Sequence, residues 1–412
     1  MDGVLYDSMP HHAIAWEQTM LQHGLHFNVR DVYINEGRTG QDVIHEAMLK
    51  EHNRKLTEEE TWAIYKQKTE AFRRLGGAGP MRGVKQVLDF LRPTKELWIV
   101  TGSGQKTLFE QLELHFPDCF VRERMITAFD VTHGKPHPEP YLKAWERSGL
   151  SKDECTVVEN APLGVKAGKA AGLFTIAVNT GVLQDSDLWQ AGADIVLKDM
   201  TELLQFVQVR QYVQTLILPQ YEHFDKGHQT AHAHSVIRES LKLSGQYPVN
   251  PIMCYLIAAY HDIGLKVNRK EHHLHSARFL REDTALTQWF TAEQIELMAQ
   301  AVEDHRASSE HEPRSIYGAI VAEADRDINV DTIIRRAIQY GLNNHPELSG
   351  QQQITRAIEH LKIKYSADGY MKLWLHSERN EQGLRELRRI LDDDELLLKL
   401  CTQIYNEEKN QS

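Results

Sequence analysis

Cysteine is scarce in this sequence. Its four residues, Cys119, Cys155, Cys254 and Cys401, stand far apart and form no CxxC pair. That pattern fits a reducing cytoplasm better than a disulfide framework. Long apolar runs are missing as well. None reaches the ~18 residues that a bilayer span needs, and no basic segment followed by an apolar one stands at the N-terminus. A soluble, unexported, cytoplasmic chain is expected. Positive charge is outweighed, with 47 Lys and Arg against 58 Asp and Glu and a net charge of -11. This argues against nucleic acid or an anionic membrane surface as partner, since both need basic patches. Repeats, low-complexity stretches and a Pro/Gly/Ser-rich linker are also absent.

What is present is enough chain for more than one core: 412 residues of ordinary soluble composition predict two domains of roughly 200 residues each. Residues 1–207 alternate apolar strand candidates with amphipathic helices, the pattern of a parallel sheet covered on both faces. The candidates are Leu97-Trp98-Ile99-Val100, Thr156-Val157-Val158, Phe174-Thr175-Ile176-Ala177-Val178 and Asp194-Ile195-Val196-Leu197. Three of them end in polar clusters: Thr101-Gly102-Ser103-Gly104, Glu159-Asn160-Ala161-Pro162-Leu163-Gly164 and Asn179-Thr180-Gly181. Ligands of open α/β sheets bind at the carboxyl ends of strands, so these clusters are expected to converge on one site. From about residue 9 to 75 the signal is helical with a polar break at 53–55, which predicts a helical insert.

Residues 208–412 read as helix throughout, joined to the first half through a helix, with the clearest loops at 245–251 and 306–313. The tail from 354 to 400 is amphipathic helix, and its Tyr365, Tyr370 and Trp374 are expected to pack rather than to wall a substrate site. The acidic run 392–395 reads as a solvated helix start.

The second half is organised around Tyr260-His261-Asp262-Ile263-Gly264, which closes the apolar run Pro251-Ile252-Met253-Cys254-Tyr255-Leu256-Ile257-Ala258-Ala259. A segment apolar all round belongs in a core, so His261 and Asp262 are expected to be at least partly buried. A buried carboxylate needs a partner. A simple His–Asp pair would satisfy it, but His232 lies upstream, His272, His273, His275 and His305 lie downstream, and Asp325 follows. So many imidazoles and carboxylates exceed what packing requires, and they are ligands that divalent transition metals prefer. One short segment cannot aim His272, His273 and His275 at one point, so at least one of them belongs on the surface.

Ordered motifs in the first half resemble the haloacid dehalogenase-like phosphohydrolases, in the branch that includes β-phosphoglucomutase-like phosphatases. Met1-Asp2-Gly3-Val4-Leu5-Tyr6-Asp7-Ser8 looks like the end of that family's DxDGVxDS signature, and Thr101-Gly102-Ser103 like its second motif. Gly134-Lys135-Pro136-His137-Pro138-Glu139-Pro140 looks like the lysine motif, and Glu159-Asn160 stands where the family carries acidic metal ligands. The resemblance implies a Rossmann-like α/β core with the insert, approximately 9–75, as a helical cap. Asp2 would be the general acid and base. Thr101 would hydrogen-bond the phosphoryl group and Lys135 would offset its charge. Glu159 and Asn160 would help to hold Mg²⁺, and His12, Arg38 and Ser103 are candidate substrate contacts. The family's attacking aspartate, and the apolar strand before it, would immediately precede Met1. An internal methionine and an upstream start are therefore expected, with the form beginning at Met1 less stable and inactive in this half.

From Phe224-Asp225-Lys226-Gly227-His228 through Asp325, the second half resembles the HD-domain metal-dependent phosphohydrolases. An all-α domain is implied, with His232, His261, Asp262 and Asp325 as metal ligands. A branched apolar residue usually follows the first histidine by four positions, which selects His232, before Val236, and leaves His234 as the alternative. Adjacent helical residues point about 100° apart, so placing His261 and Asp262 on one ion rests on the resemblance. His272 and His305 would hold a second metal or contact the phosphate. Arg306 is the candidate substrate cation, and Lys226, Lys266, Arg269 and Arg326 also lie near these positions. The ion would be a divalent transition metal such as Mn²⁺, Fe²⁺, Ni²⁺ or Zn²⁺, and water that it activates would attack phosphorus directly.

Together these features predict a bifunctional cytoplasmic phosphohydrolase acting on small phosphorylated metabolites. Two alternatives stand beside it. In one, a nucleophile-less first half binds a phosphorylated ligand and controls the second. In the other, the first half is a β-phosphoglucomutase-like sugar phosphomutase.

Overall fold

The computed structural model describes residues 1–103, 108–224, 229–306 and 311–411. Two compact units divide the chain, Met1–Gln211 and Tyr212–Ser412. Gly104 and the segment Asp225-Lys226-Gly227-His228, both singled out above, lie outside the described residues, as does much of the 306–313 loop.

In the first unit the expected insert is formed by α1 (Met9–Gln22), α2 (Val29–Ile34), α3 (Gly40–His52) and α4 (Glu58–Arg74). Its core includes Met20, Leu25, Ile44 and Ile64. The polar break is a helix end: Asn53 takes a left-handed conformation (φ 49°), its N–H donates to the Leu49 carbonyl and the next N–H, of Arg54, to that of Met48. Thr57 and Glu60 then close a reciprocal cap that starts α4.

Alternation follows through α5 (Val84–Leu91), β1 (Ile99–Val100), α6 (Leu108–His115), β2 (Met125–Ile126) and α7 (Glu139–Ser148). It continues through β3 (Thr156–Glu159), α8 (Pro162–Ala170), β4 (Phe174–Val178), α9 (Asp185–Gln190), β5 (Ile195–Leu197) and α10 (Met200–Tyr212). All strand pairs are parallel, β1 with β2, and β4 between β3 and β5. Strand β4 is buried along Thr175 to Val178, so it reads as an unbroken apolar run rather than an alternating one. Strand β2 was not among the expected strands, because two residues carry no readable period. The two sheets share no hydrogen bond among the described residues. Met1 and Asp2 lie in a pocket shared with the carboxyl ends of β1 and β3.

In the second unit the described residues contain only helices: α11 (Thr230–Ser244), α12 (Pro251–Tyr260), α13 (His272–Glu282), α14 (Ala292–Asp304) and α15 (Ile316–Asp325). Then come α16 (Val330–Asn344), α17 (Gly350–Tyr365), α18 (Glu378–Leu391) and α19 (Asp394–Gln411). Asn250 starts α12 by accepting from the Ile252 and Met253 N–H groups, with Pro251 in the first turn. Every residue from Ile252 to Tyr260 is buried, as an all-round apolar helix requires. The tail is not one continuous helix. α17 ends at Tyr365, and α16 to α19 pack about Ile338, Leu361, Leu387 and Leu397. No helix among the described residues is long and apolar enough to cross a membrane.

Candidate active sites

Helix ends build the cluster in the second unit. His232 stands in the first turn of α11, His261 and Asp262 follow the last residue of α12, and His272 opens α13. His305 follows α14, and Asp325 is the last residue of α15. Three helix carboxyl ends therefore face the cluster, and their partial negative charge favours a cation. The chain leaves α-helical geometry at Asp262 (φ -113°, ψ 1°), which is how neighbouring His261 and Asp262 come to share one centre.

Asp262 sits between two groups of imidazoles. Its Oδ2 lies 3.3 Å from His261 Nε2 and 3.7 Å from His232 Nε2. Its Oδ1 lies 3.3 Å from His272 Nε2 and 3.5 Å from His305 Nε2. Asp325 Oδ1 joins the first group, 3.1 Å from His232 Nε2 and 3.8 Å from His261 Nε2. His232, His261 and Asp262 thus form one set of donor atoms, and Asp262, His272 and His305 a second.

Backbone carbonyls orient the rings. His261 Nδ1 donates to Ala258 (2.8 Å), His272 Nδ1 to Arg269 (2.8 Å) and His305 Nδ1 to Val302 (2.6 Å). With Nδ1 protonated, each neutral ring presents the Nε2 lone pair inward, the tautomer that metal ligation uses. The Nε2 atoms of His261 and His232 stand 3.3 Å apart, and those of His272 and His305 3.1 Å apart. Lone pairs facing each other at that range repel unless a proton or a metal ion lies between them. The donor set, buried and half-buried imidazoles and carboxylates with three of the rings held by backbone carbonyls, fits divalent transition metals.

His234 is exposed on α11, so the structure turns His232 and not His234 to Asp262. Of the closely spaced triplet only His272 reaches the cluster, while His275 approaches Asn268. Sequence reasoning missed Tyr221, which donates to the Ala259 carbonyl (3.0 Å) and accepts from the Asp262 N–H (3.2 Å). A cavity of about 510 Å³ opens from the cluster, with His232, Asp262, His272, His305, Arg306 and Asp325 on one side. Lys364 and Tyr365 of α17 line it too, which corrects the expectation that Tyr365 only packs. Tyr370 is exposed, away from that wall.

In the first unit a small pocket gathers Asp2, Glu36, Thr101, Lys135, Glu159 and Asn160. Two of the three polar clusters after strands supply it. Asp2 accepts from Ser8 Oγ (2.5 Å) and faces His12 Nε2 at 3.6 Å, while Lys68 Nζ lies 2.8 Å from His12 Nδ1. Burial disfavours the Asp2 carboxylate, but His12 and Ser8 hold its pKa below the ordinary range. Gly3 (φ 66°) packs so closely that a Cβ would lie 2.0 Å from Asn160 Nδ2, and that buried nitrogen has no hydrogen-bond partner.

Three candidates in this unit are placed differently from the expectation. Glu159 Oε1 accepts from Lys135 (2.5 Å) and from Tyr141, so a magnesium ion there would share a carboxylate whose charge the lysine already offsets and meet only Oε2, which accepts from the Asn160 N–H at 3.3 Å. As arranged, the carboxylates do not fit Mg²⁺, and no step is derived through it. Arg38 pairs with Glu46 and does not line the pocket. Ser103 does not line it either; its N–H donates to Thr101 Oγ1 at 3.1 Å. A further group, His133, His137 and Glu139, is largely exposed, and Glu139 is already taken by Lys143 and the Thr132 and His133 N–H groups.

The profile of the haloacid dehalogenase-like hydrolases matches residues 1–172, and that of the HD domain residues 229–329. Glycerol-1-phosphate phosphohydrolase 2 of Saccharomyces cerevisiae is 42% identical over 118 residues, 26% of this chain and 44% of the relative. The chain thus spans less than half the length of that yeast enzyme. Hexitol phosphatase A of Escherichia coli is 31% identical over 183 residues, 43% of this chain and 80% of the relative. Among solved structures, a putative β-phosphoglucomutase from Bacteroides vulgatus is 44% identical, covers 51% of this chain and 86% of its own, and gives a TM-score of 0.49. With both profiles and the hexitol phosphatase in agreement, the chain belongs through its first unit to the haloacid dehalogenase-like hydrolases and carries an HD domain in its second.

Proposed function

We propose that the chain is a bifunctional phosphohydrolase for small phosphorylated metabolites, with a metal-dependent hydrolytic centre in the second unit and a phosphoryl-binding acid–base pocket in the first. The observation that carries this reading is Asp262, whose two oxygens serve two imidazole groups with fixed tautomers. His232, His261, Asp262 and Asp325 would hold one divalent ion, and Asp262, His272 and His305 a second. An ion bound there supplies Lewis acidity, lowering the pKa of water and drawing charge from a phosphoryl oxygen. The chain's own residues do the rest. The carbonyls of Ala258, Arg269 and Val302 keep the rings aligned, and Tyr221 fixes the Asp262 backbone. Arg306, which lines the cavity beside the cluster, would hold a substrate oxygen.

For the first unit, Thr101 and Lys135 are proposed to bind the phosphoryl group, and Asp2, held in its carboxylate form, to take a proton from the attacking water and return it to the leaving alkoxide oxygen. The aspartate expected before Met1 lies outside this sequence, and no step is derived through it. Relatives named for glycerol 1-phosphate and hexitol phosphates support small phosphorylated polyols as the substrate class.

The test is phosphate release from a polyol and sugar phosphate panel by the full chain, with Mg²⁺ or Mn²⁺, beside Lys135→Ala and the double variant His261→Ala/Asp262→Ala. Each variant is expected to abolish a different subset of activities, and the double variant to lose bound transition metal. Equal metal content in the wild type and the double variant would overturn the centre in the second unit. If all activity falls with the double variant and none with Lys135→Ala, the first unit is a binding module.

A further inference from the structure

The cavity that opens from the histidine cluster has a second wall, made by α16, α17 and the turn after α15, whose chemistry a single phosphoryl group would not use. Arg326, Arg336, Arg356, His360 and Lys364 line it. Cations of one sign cost free energy when gathered in partly desolvated space unless countercharge accompanies them. Here it is sparse. Arg326, buried, pairs with Glu323 at 3.1 Å; the half-buried Arg356 and Lys364 have no ion pair among the described residues, and neither has Arg336, which is exposed at the cavity's edge. Of the carboxylates on the cavity, Asp262 and Asp325 belong to the cluster, which leaves Asp327 alone.

Weaker partners hold these cations in place. Arg356 donates to the Ala337 carbonyl and lies 5.5 Å from the Tyr340 ring centre, and Lys364 Nζ lies 5.1 Å from that of Tyr365. Ring faces offset only part of a buried charge. The Nε–H groups of Arg326 and Arg356 are buried without an acceptor among the described residues, and Arg326 as a whole is 6% exposed. Burial, with Arg326 and Arg336 nearby, also pulls the Lys364 ammonium below its ordinary range. A volume of about 510 Å³ is that of a small-molecule site, far more than one phosphate fills.

We propose that this wall is a second-anion subsite: the second unit takes small substrates that present one phosphoryl group to the histidine cluster and hold a second phosphoryl or carboxylate group against Arg336, Arg356 and Lys364. The inference rests on reading the cluster as a phosphohydrolase centre. It adds what lies at the other end of the substrate.

The experiment uses the full chain loaded with Mn²⁺ and carrying Lys135→Ala, so that the first unit contributes little phosphate binding. Calorimetry compares fructose 6-phosphate, fructose 1,6-bisphosphate and 6-phosphogluconate, in this chain and after adding Arg336→Gln and Lys364→Gln. If the added pair lowers the melting temperature, Arg336→Gln alone replaces it. The bisphosphate or the phosphogluconate is expected to bind at least about tenfold more tightly than the monophosphate, and the substitutions to erase that gap without weakening the monophosphate. Which of the two gains identifies the second group as phosphoryl or carboxylate. Equal or absent binding of all three probes in the parent chain, or a preference that survives the substitutions, overturns the subsite. Phosphate release is followed in parallel. Substitution-sensitive preference without turnover would sink the hydrolase reading and leave the subsite standing, whereas turnover without preference would sink the subsite alone.

Discussion

A Cβ built on Gly264 would lie 2.1 Å from the carbonyl oxygen of His272. The turn after Asp262 is thus pressed against the first turn of α13, where the Gly264 N–H also donates to Ser276 Oγ at 2.8 Å. This contact sets the distance between Asp262 and His272. Replacing Gly264 by Ala must push α13 away at a cost of about 1–3 kcal/mol, and it moves His272 without touching His232, His261 or Asp325. If the cluster holds two ions, as proposed above, metal content is expected to fall from two per chain to one, measured by elemental analysis after gel filtration. Two ions retained at full occupancy would show that the close approach does not position the second group.

That glycine was legible only as part of a motif, and the difference between what could and could not be read follows from physics. His261, Asp262, His305 and Asp325 stand out because imidazoles and carboxylates in or beside apolar helical runs have few reasons to be there. Thr101 could be placed because it follows a strand end, where parallel sheets collect their ligands, whereas Asp2 and Lys135 could be placed only through the motifs of the family. The distal wall could not. Arg336, Arg356 and Lys364 sit on amphipathic helices at positions that ordinarily face water, and only the packing of α16 with α17 turns them to one cavity. Nor could the Lys135–Glu159 pair, since spacing in sequence does not say whether a carboxylate meets an ion or an ammonium group. Strand β2 was too short to show a period.

Glu323 is fully buried, and its carboxylate accepts from Arg326 (3.1 Å), the Trp374 N–H (3.0 Å) and Asn380 (2.7 Å). Truncation to Ala would leave the Arg326 charge buried without its partner, which typically costs about 3–5 kcal/mol. The exposed pair of Arg122 with Glu110 is the control, where removing Arg122 is expected to leave stability nearly unchanged. Urea unfolding of both variants decides the matter. Equal losses would mean that the Glu323 pair is not desolvated as described.

Lys68 is 7% exposed, and burial draws its pKa down from 10.5 to about 8, against the opposing pull of Glu36 and Asp2. Below pH 8 both folded and unfolded chains carry this proton and the burial cost is present in full. Between pH 8 and 10.5 the unfolded chain holds more protons than the folded one, so stability rises with pH. Relative to Lys68→Met, the wild type is expected to gain up to about 3 kcal/mol across that window. The check is denaturant unfolding of both proteins from pH 7 to 10.5. A difference that stays flat, or falls, would show that Lys68 is solvated and not held against His12.

Metal uptake should release protons in a way that separates the two halves of the histidine cluster. In the metal-free protein burial disfavours a charged His261, yet Asp262 and Asp325 outweigh it and push its pKa up to about 9. His272 goes the other way, drawn down to about 4 by burial and by His305. On these directions His261 is expected to carry a proton on Nε2 at pH 7 in the metal-free protein, its Nδ1–H being committed to Ala258, and His272 to be neutral. A divalent ion must displace the first proton and none from the second, so about one proton per chain from His261 should leave at pH 7, falling to about half a proton at pH 9 and to little beyond it. Apparent affinity should rise about tenfold per pH unit up to that point and then level off. Calorimetric titration with Co²⁺ in buffers of different ionisation enthalpy reads the proton count directly, and His261→Gln should abolish the release. A binding enthalpy independent of buffer at pH 7 would mean that His261 is already neutral, and that Asp262 and Asp325 do not act on it as their distances imply.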